Sequence, residues 1–271
     1  MSNQSKTARQ VSDAYFTSVE SARFCQSYLY VHDWVGYDKT LLEPCAGDGV
    51  LTDGLPGKVI MQDINPLREE IAKQDYLLAP VHTVDVVFTN PPFGTACNLA
   101  VPIFNKACKD ADRVAMIVPC TFRKASIMDR LDLNFHRIVD VDLPNKKFRL
   151  PDGSTKWVNC CFQMWERFNS IRWKIKDQVK ITNYFTRLDK PEPGCYAFRT
   201  QGASAGKVLD GLDYSPASTA FLKGSKNRVL AHDWTTLASW TAGIPAIGLL
   251  DVAYYLYLED QGIDIYPYLH P

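Results

Sequence analysis

Short apolar runs punctuated by turn residues organise the first half of the chain. Thr40-Leu41-Leu42, Lys58 to Gln62, Val84 to Thr89 and Arg113 to Val118 are continuous rather than alternating, and each stops at a Gly-rich turn, an Asp or a Pro. Such runs suit strands buried on both faces of a parallel sheet. Between them lie stretches long enough for crossover helices, for example Leu99 to Lys109 and Phe122 to Leu131. Ahead of the first strand, Thr17-Ser18-Val19-Glu20 reads as a capping box, followed by Ala22, Cys25, Gln26 and Leu29 at helical spacing. Strands alternating with helices predict an α/β fold with a Rossmann-like, doubly wound, mostly parallel sheet.

The pattern then changes. Arg137 to Val141 and Trp157 to Trp165 flank the turn signal Pro151-Asp152-Gly153-Ser154 with no helical stretch between them, which predicts an antiparallel pair closing the sheet's edge. Beyond Phe168 the composition shifts. Ile171 to Tyr184 alternates basic and apolar residues, Pro191-Glu192-Pro193-Gly194 interrupts it, Gln201 to Lys207 is Gly/Ser-rich, and Ala246 to Leu258 reads as a late apolar helix. The expected division is a domain over 13–168 and a small C-terminal region over 169–271, with residues 1–12 a flexible polar tail.

Composition narrows the setting. With 271 residues, 46% of them hydrophobic, the chain can bury a good core. Lys plus Arg and Asp plus Glu both number 30, so any nucleic-acid surface must be a local basic patch. The eight cysteines form no Cys-x-x-Cys pair, so no metal site is expected and buried free thiols of a reducing compartment are. No apolar run approaches the ~20 residues that span a bilayer, and Met1 to Gln10 lacks a signal peptide's apolar core, so a cytoplasmic protein without a membrane partner is expected.

Candidate chemistry sits at the strand ends. Glu43-Pro44-Cys45-Ala46-Gly47-Asp48-Gly49 follows the first strand, where ligands of doubly wound sheets bind and where glycines admit close approach of the backbone. Asp63 ends the second strand, placed to accept hydrogen bonds from both hydroxyls of a ribose. Asp75-Tyr76 closes the next segment, a carboxylate and ring suited to an adenine. Asn90-Pro91-Pro92-Phe93 follows the fourth strand. A conjugated amine such as adenine N6 is a poor nucleophile, and two fixed acceptors drawing on its hydrogens would free its lone pair. The Asn90 oxygen and the Pro91 carbonyl supply such a pair, the prolines hold the turn rigid, and Phe93 can stack on a base.

In that order, Glu43-Pro-x-Ala-Gly-x-Gly49, Asp63, Asp75-Tyr76 and Asn90-Pro-Pro-Phe93 resemble the class I S-adenosylmethionine-dependent N6-adenine methyltransferases, over roughly Tyr15 to Phe168. Tyr15-Phe16-Thr17 also resembles the N-terminal motif that contacts the donor's methionine end in amino-methyltransferases whose donor half comes first. The resemblance implies S-adenosyl-L-methionine as cofactor, bordered by Tyr15, Thr17, Glu43, Cys45, Ala46, Gly47, Gly49, Asp63, Ile64, Asp75, Tyr76 and Asn90. It implies a catalytic role for Asn90, Pro91, Pro92 and Phe93, and a nucleic-acid substrate. The motif order favours DNA. RNA adenine, cytosine N4, a protein glutamine amide and a non-catalytic subunit of the same fold stay open, as does the oligomeric state. Lys146-Lys147-Phe148-Arg149, Lys156-Trp157, Arg172 to Lys176 and Lys223 to Arg228 mix basic and aromatic residues in the manner of a nucleic-acid surface.

Overall fold

A computed structural model describes residues 15–241 and 243–269, so the expected tail over 1–12 lies outside the described residues. The chain divides into two compact units. One takes the chain up to Pro119 together with Leu131–Arg172, and the other takes Cys120–Arg130 and the chain from Trp173 onward.

The first unit is built on a seven-stranded sheet in the order β3-β2-β1-β4-β5-β9-β6. Its strands are β1 (Thr40–Glu43), β2 (Lys58–Asp63), β3 (Ala72–Lys73), β4 (Val86–Thr89), β5 (Arg113–Pro119), β6 (Phe135–Asp142) and β9 (Cys160–Arg167). Pairings from β3 through β5 are all parallel, and Leu41 and Leu42 are flanked by Val59 and Ile60 on one side and Val86 and Val87 on the other. This is a Rossmann-like α/β sheet. The antiparallel strand does more than close the edge, because β9 enters between β5 and β6 and pairs with both. Trp157 falls outside it, in a separate hairpin of β7 (Lys147–Arg149) and β8 (Thr155–Trp157).

Helices cover both faces. The helix α1 (Val19–Val31) buries Ser21, Ala22, Cys25, Gln26 and Leu29, a stripe at helical spacing. Ala22, Cys25 and Leu29 pack in one cluster with Phe88, Ala115, Ile117, Phe162 and Met164. The helix α2 (Ala100–Asp110) packs Phe104 edge-on against Trp165 at 5.3 Å. Met164 and Trp165 are neighbours on β9 and so face opposite sides of the sheet. Each such buried ring or aliphatic side chain stabilises by about 1.5–3 kcal/mol relative to exposure.

Two local expectations differ from the structure. The cap of α1 is Ser18, whose hydroxyl accepts from the Ser21 N–H at 3.2 Å, one residue later than the capping box predicted. Thr17 has another partner, described below. No helix among the described residues follows the glycine turn after β1, where residues 44–57 form successive tight turns. They are tied to α1 by Gln26, whose buried amide donates to the carbonyls of Leu51 at 2.9 Å and Asp53 at 3.2 Å.

The second unit contains a four-stranded antiparallel sheet, β10-β13-β11-β12, from Thr186–Leu188, Thr219–Lys223, Tyr196–Arg199 and Val208–Leu209. Residues 120–130, grouped with the first domain on sequence, belong here. The crossover helix expected over Phe122 to Leu131 is one short α-helical turn, α3 (Ala125–Met128), preceded by a 3₁₀ turn. Asp251, buried in the first turn of a late helix (Leu249–Asp260), accepts from the N–H groups of Ala125 at 3.0 Å and Gly248 at 3.1 Å. Asp129 accepts from Ile175 N–H at 2.6 Å and Lys176 N–H at 3.0 Å. Carboxylates that saturate backbone donors, one of them buried, thus hold the segment. No helix among the described residues is long and apolar enough to cross a membrane, and no group of three or more His, Cys, Asp or Glu among them could hold a metal ion.

Candidate active site

The first unit holds a cleft at the carboxyl ends of β1, β2 and β4, enclosing about 1080 Å³ including the solvent at its mouth. Its wall includes Tyr15, Thr17, Glu43, Cys45, Ala46 and Gly47. Asp63, Ile64, Asp75, Tyr76, Asn90 and Pro92 complete the sequence-predicted residues found there. Gly49, Pro91 and Phe93 are off the wall.

The glycine turn is shaped by contacts that only glycine permits. Gly47 has φ of +53°, and a Cβ there would stand 3.1 Å from the Phe16 ring. Its N–H donates to Asp63 Oδ2 at 2.8 Å, while Asp63 Oδ1 accepts from the Asn65 N–H at 2.7 Å. Each carboxylate oxygen keeps a further lone pair for a ligand hydroxyl. Gly49, at φ of +75°, lies behind the wall against the Arg68 guanidinium, which pairs with both oxygens of Asp53 at 2.7 and 2.9 Å.

The cleft is acidic. Glu43, Asp48, Asp63 and Asp75 border it, and no Lys or Arg among the described residues does. Asp48 is paired with Arg149 at 2.6 Å. Glu43 is only 1% exposed and accepts from the Thr52 hydroxyl at 2.7 Å. Burial, then the acids Asp48, Asp63 and Asp53, push its carboxyl well above the usual range against the opposing pull of Thr52. A wall of this sign favours a ligand that brings positive charge. It disfavours the pyrophosphate of a dinucleotide, which also lacks here the helix N-terminus that binds phosphate in such folds. Burial and then Asp63 raise the Cys45 thiol far above its ordinary value, leaving it a neutral packing group. Asp75 caps a 3₁₀ turn through the Leu77 N–H at 3.0 Å, and Tyr76 donates its hydroxyl to Asp110 at 2.5 Å.

Asn90 is the distinctive group. Its side-chain nitrogen donates to the Tyr15 carbonyl at 2.7 Å and to the Thr17 hydroxyl at 3.0 Å. A carbonyl can only accept, so the amide's orientation is fixed. Oδ1 is buried and has no hydrogen-bond partner among the described residues. Other buried side-chain atoms are also unpartnered among the described residues, on Gln62, His82, Gln163 and Thr219, but of these residues and Asn90 only Asn90 borders the cleft. Asn90 therefore presents an unused acceptor beside the cleft, held by two bonds to the segment before α1.

Phe93 departs from its expected role. It is 4% exposed, and its face is occupied by Tyr15, the centroids 5.2 Å apart and the rings 15° from parallel. Phe148 of β7 meets it edge-on at 6.5 Å. Phe93 is therefore a core ring under Tyr15, and a base reaching this corner meets Tyr15 first. Pro91 is buried, and its carbonyl accepts no hydrogen bond from a described residue. Sequence reasoning gave no site role to Phe16 itself, which limits Gly47, to Thr52, or to Pro151, the last on the cleft wall at the tip of the β7–β8 hairpin. Phe16 lay inside the Tyr15-Phe16-Thr17 motif and Pro151 inside a turn signal, while Thr52 carried no signal.

No protein-family model and no curated protein matches the chain. Solved structures similar to it include a candidate RNA methyltransferase from Pyrococcus horikoshii, 18% identical, with a TM-score of 0.47 over 58% of this chain and 87% of that one. The 23S rRNA methyltransferase ErmE is 18% identical, with a TM-score of 0.39 over 59% of this chain and 71% of its own. The methyltransferase subunit of a type I restriction-modification system from Streptococcus thermophilus is 14% identical, with a TM-score of 0.42 over 58% of this chain and 45% of its own. Likeness of this degree leaves ligand and substrate to be argued from the site.

Proposed function

We propose that this chain transfers a methyl group from S-adenosyl-L-methionine to the N6 amine of adenine in DNA. The observation that carries the reading is the unpartnered Oδ1 of Asn90 beside the cleft. A conjugated amine gains nucleophilicity when a fixed acceptor draws on one of its hydrogens, and an acceptor already held in place does so without reorganisation. Tyr15 and Thr17 hold the Asn90 amide so that its oxygen, not its nitrogen, is left for the amine. Asp63 offers its remaining lone pairs to the donor's ribose, Asp75 accepts from the donor's adenine amine, and buried Glu43 faces the cationic end of the donor. S-adenosylmethionine, when bound, supplies an electrophilic methyl on a cationic sulfur, which suits an acidic wall better than a polyphosphate does.

The choice of DNA rests on the donor-first order of the motifs. The C-terminal region, 169–271, is assigned to substrate recognition, and the adenine reaches the cleft flipped out of a duplex or already unpaired. The test is transfer of labelled methyl to duplex DNA, single-stranded DNA, total RNA and protein extract, followed by nucleoside mass spectrometry. N6-methyladenine in DNA is the expected product. Label confined to RNA or protein would contradict the DNA assignment, and no label in any substrate would contradict the enzyme reading.

A further inference from the structure

The β7–β8 hairpin has two faces with different tasks. Strand register pairs Lys147 with Trp157, Phe148 with Lys156 and Arg149 with Thr155. Directly paired residues of an antiparallel ladder project to the same face, and neighbours along a strand to opposite faces. One face therefore carries Phe148 and Lys156. Phe148 is buried edge-on to Tyr15 and Phe93, and the Lys156 ammonium sits 3.2 Å from the Tyr15 hydroxyl. Backbone bonds between Phe16 and Arg149, at 2.9 and 3.3 Å, fasten this face to the segment that holds Asn90. The tip reaches the cleft wall at Pro151.

The other face carries Lys147, Arg149, Thr155 and Trp157. Trp157 is 59% exposed and takes part in no ring pair among the described residues. Lys147 is exposed and in no ion pair with a described residue. Arg149 has half of its side chain in solvent, one nitrogen meeting Asp48 and the guanidinium lying over the Phe16 ring. An exposed indole directly opposite an unpaired lysine, with Arg149 one step along the same face, is a local feature that packing does not explain.

We propose that this face binds the nucleic-acid strand next to the target base, Trp157 stacking on a neighbouring base while Lys147 and Arg149 meet phosphates. The proposal rests on the methyl-transfer reading for its substrate class, and assigns the recognition surface that the cleft alone does not supply. Charge complementarity selects the occupant. A polyanion with flat faces satisfies both the cations and the ring, as in other single-strand surfaces. The hairpin's inner face couples that contact to Tyr15, so a bound strand and the Asn90 acceptor share one small element.

The test measures anisotropy of end-labelled single-stranded and duplex DNA, and of the matching RNA, with donor affinity followed by calorimetry in the same preparations. Trp157→Ala is expected to weaken strand binding about tenfold and Trp157→Phe to restore most of it. Lys147→Ala is expected to lower the slope of log affinity against log salt by about 0.7 for a single strand. Donor affinity should stay within about twofold of wild type in all three, because none of these side chains borders the cleft. Unchanged strand binding by Trp157→Ala would overturn the proposal. So would a wild-type protein that binds donor but no nucleic acid, and such a result would leave the donor site standing. Binding of strands without any methyl transfer would support the hairpin surface and count against the enzyme reading.

Discussion

Two polar clusters in the first unit, one around Asp110 and one around Asn90, differ in completeness. Around Asp110, whose carboxylate is fully buried, every acceptor is used: Tyr76 hydroxyl at 2.5 Å, His82 N–H at 2.9 Å, and the Lys106 ammonium at 2.9 Å to both oxygens. Burial, then the bond to Asp110, push the Tyr76 phenol far up, so it remains a donor at any physiological pH. Around Asn90 the donors are used twice and the acceptor not at all. A completed network stabilises and pins the 76–82 segment to α2. An acceptor left open at a cleft costs stability and is available for a ligand to complete.

That difference can be broken at either end. The largest effect is expected from Asp110→Ala, which strands a Lys106 ammonium whose side chain is 11% exposed and should cost about 3–5 kcal/mol in denaturant unfolding. A loss under about 1 kcal/mol would show that the completed cluster is not structural. Next comes Asp63→Ala, which removes both ligand-facing lone pairs and the anchors of Gly47 and Asn65. Donor affinity should fall about 10- to 100-fold in calorimetry with saturated turnover within a few fold, and unchanged affinity would refute the ribose assignment.

The smallest effect concerns Glu43. Its folded carboxyl titrates above its unfolded value, so the fold binds the proton more tightly than the unfolded chain does. Between those two values stability falls as pH rises, and the loss stays constant above them. Glu43→Gln keeps the Thr52 bond and removes the buried charge. It should therefore leave the ligand-free protein more stable than wild type at neutral pH and no different at pH near 3. The same variant should bind the cationic donor more weakly and lose the rise of donor affinity with pH. Equal melting temperatures across the whole pH range would contradict the buried-charge account.

Much of the first unit's architecture was readable from apolar runs, because strands buried on both faces have no polar face to blur the pattern. The insertion of β9 between β5 and β6 was not, since a buried central strand and a buried edge partner carry the same hydrophobic run. Residues 122–131 read as a crossover helix by length alone, and the attachment of this stretch through Asp129 and Asp251 depends on residues more than 40 positions away. At the cleft, strand-end position brought most of the named residues to one wall. The burial of Phe93 under Tyr15 is a tertiary fact with no local signal, and the turn at Pro151 was legible while its place on the cleft wall was not. The open Asn90 oxygen belongs with them, because it depends on Tyr15 and Thr17 taking the nitrogen.

The central claim is that Asn90 acts on the acceptor amine and not on the donor. Single-turnover methyl transfer by Asn90→Ala, with calorimetric donor binding on the same protein, tests it directly. The account predicts a loss of about 10²- to 10³-fold in the transfer rate with donor affinity unchanged within a few fold. Transfer at the wild-type rate, or a donor affinity that falls in step with the rate, would contradict it.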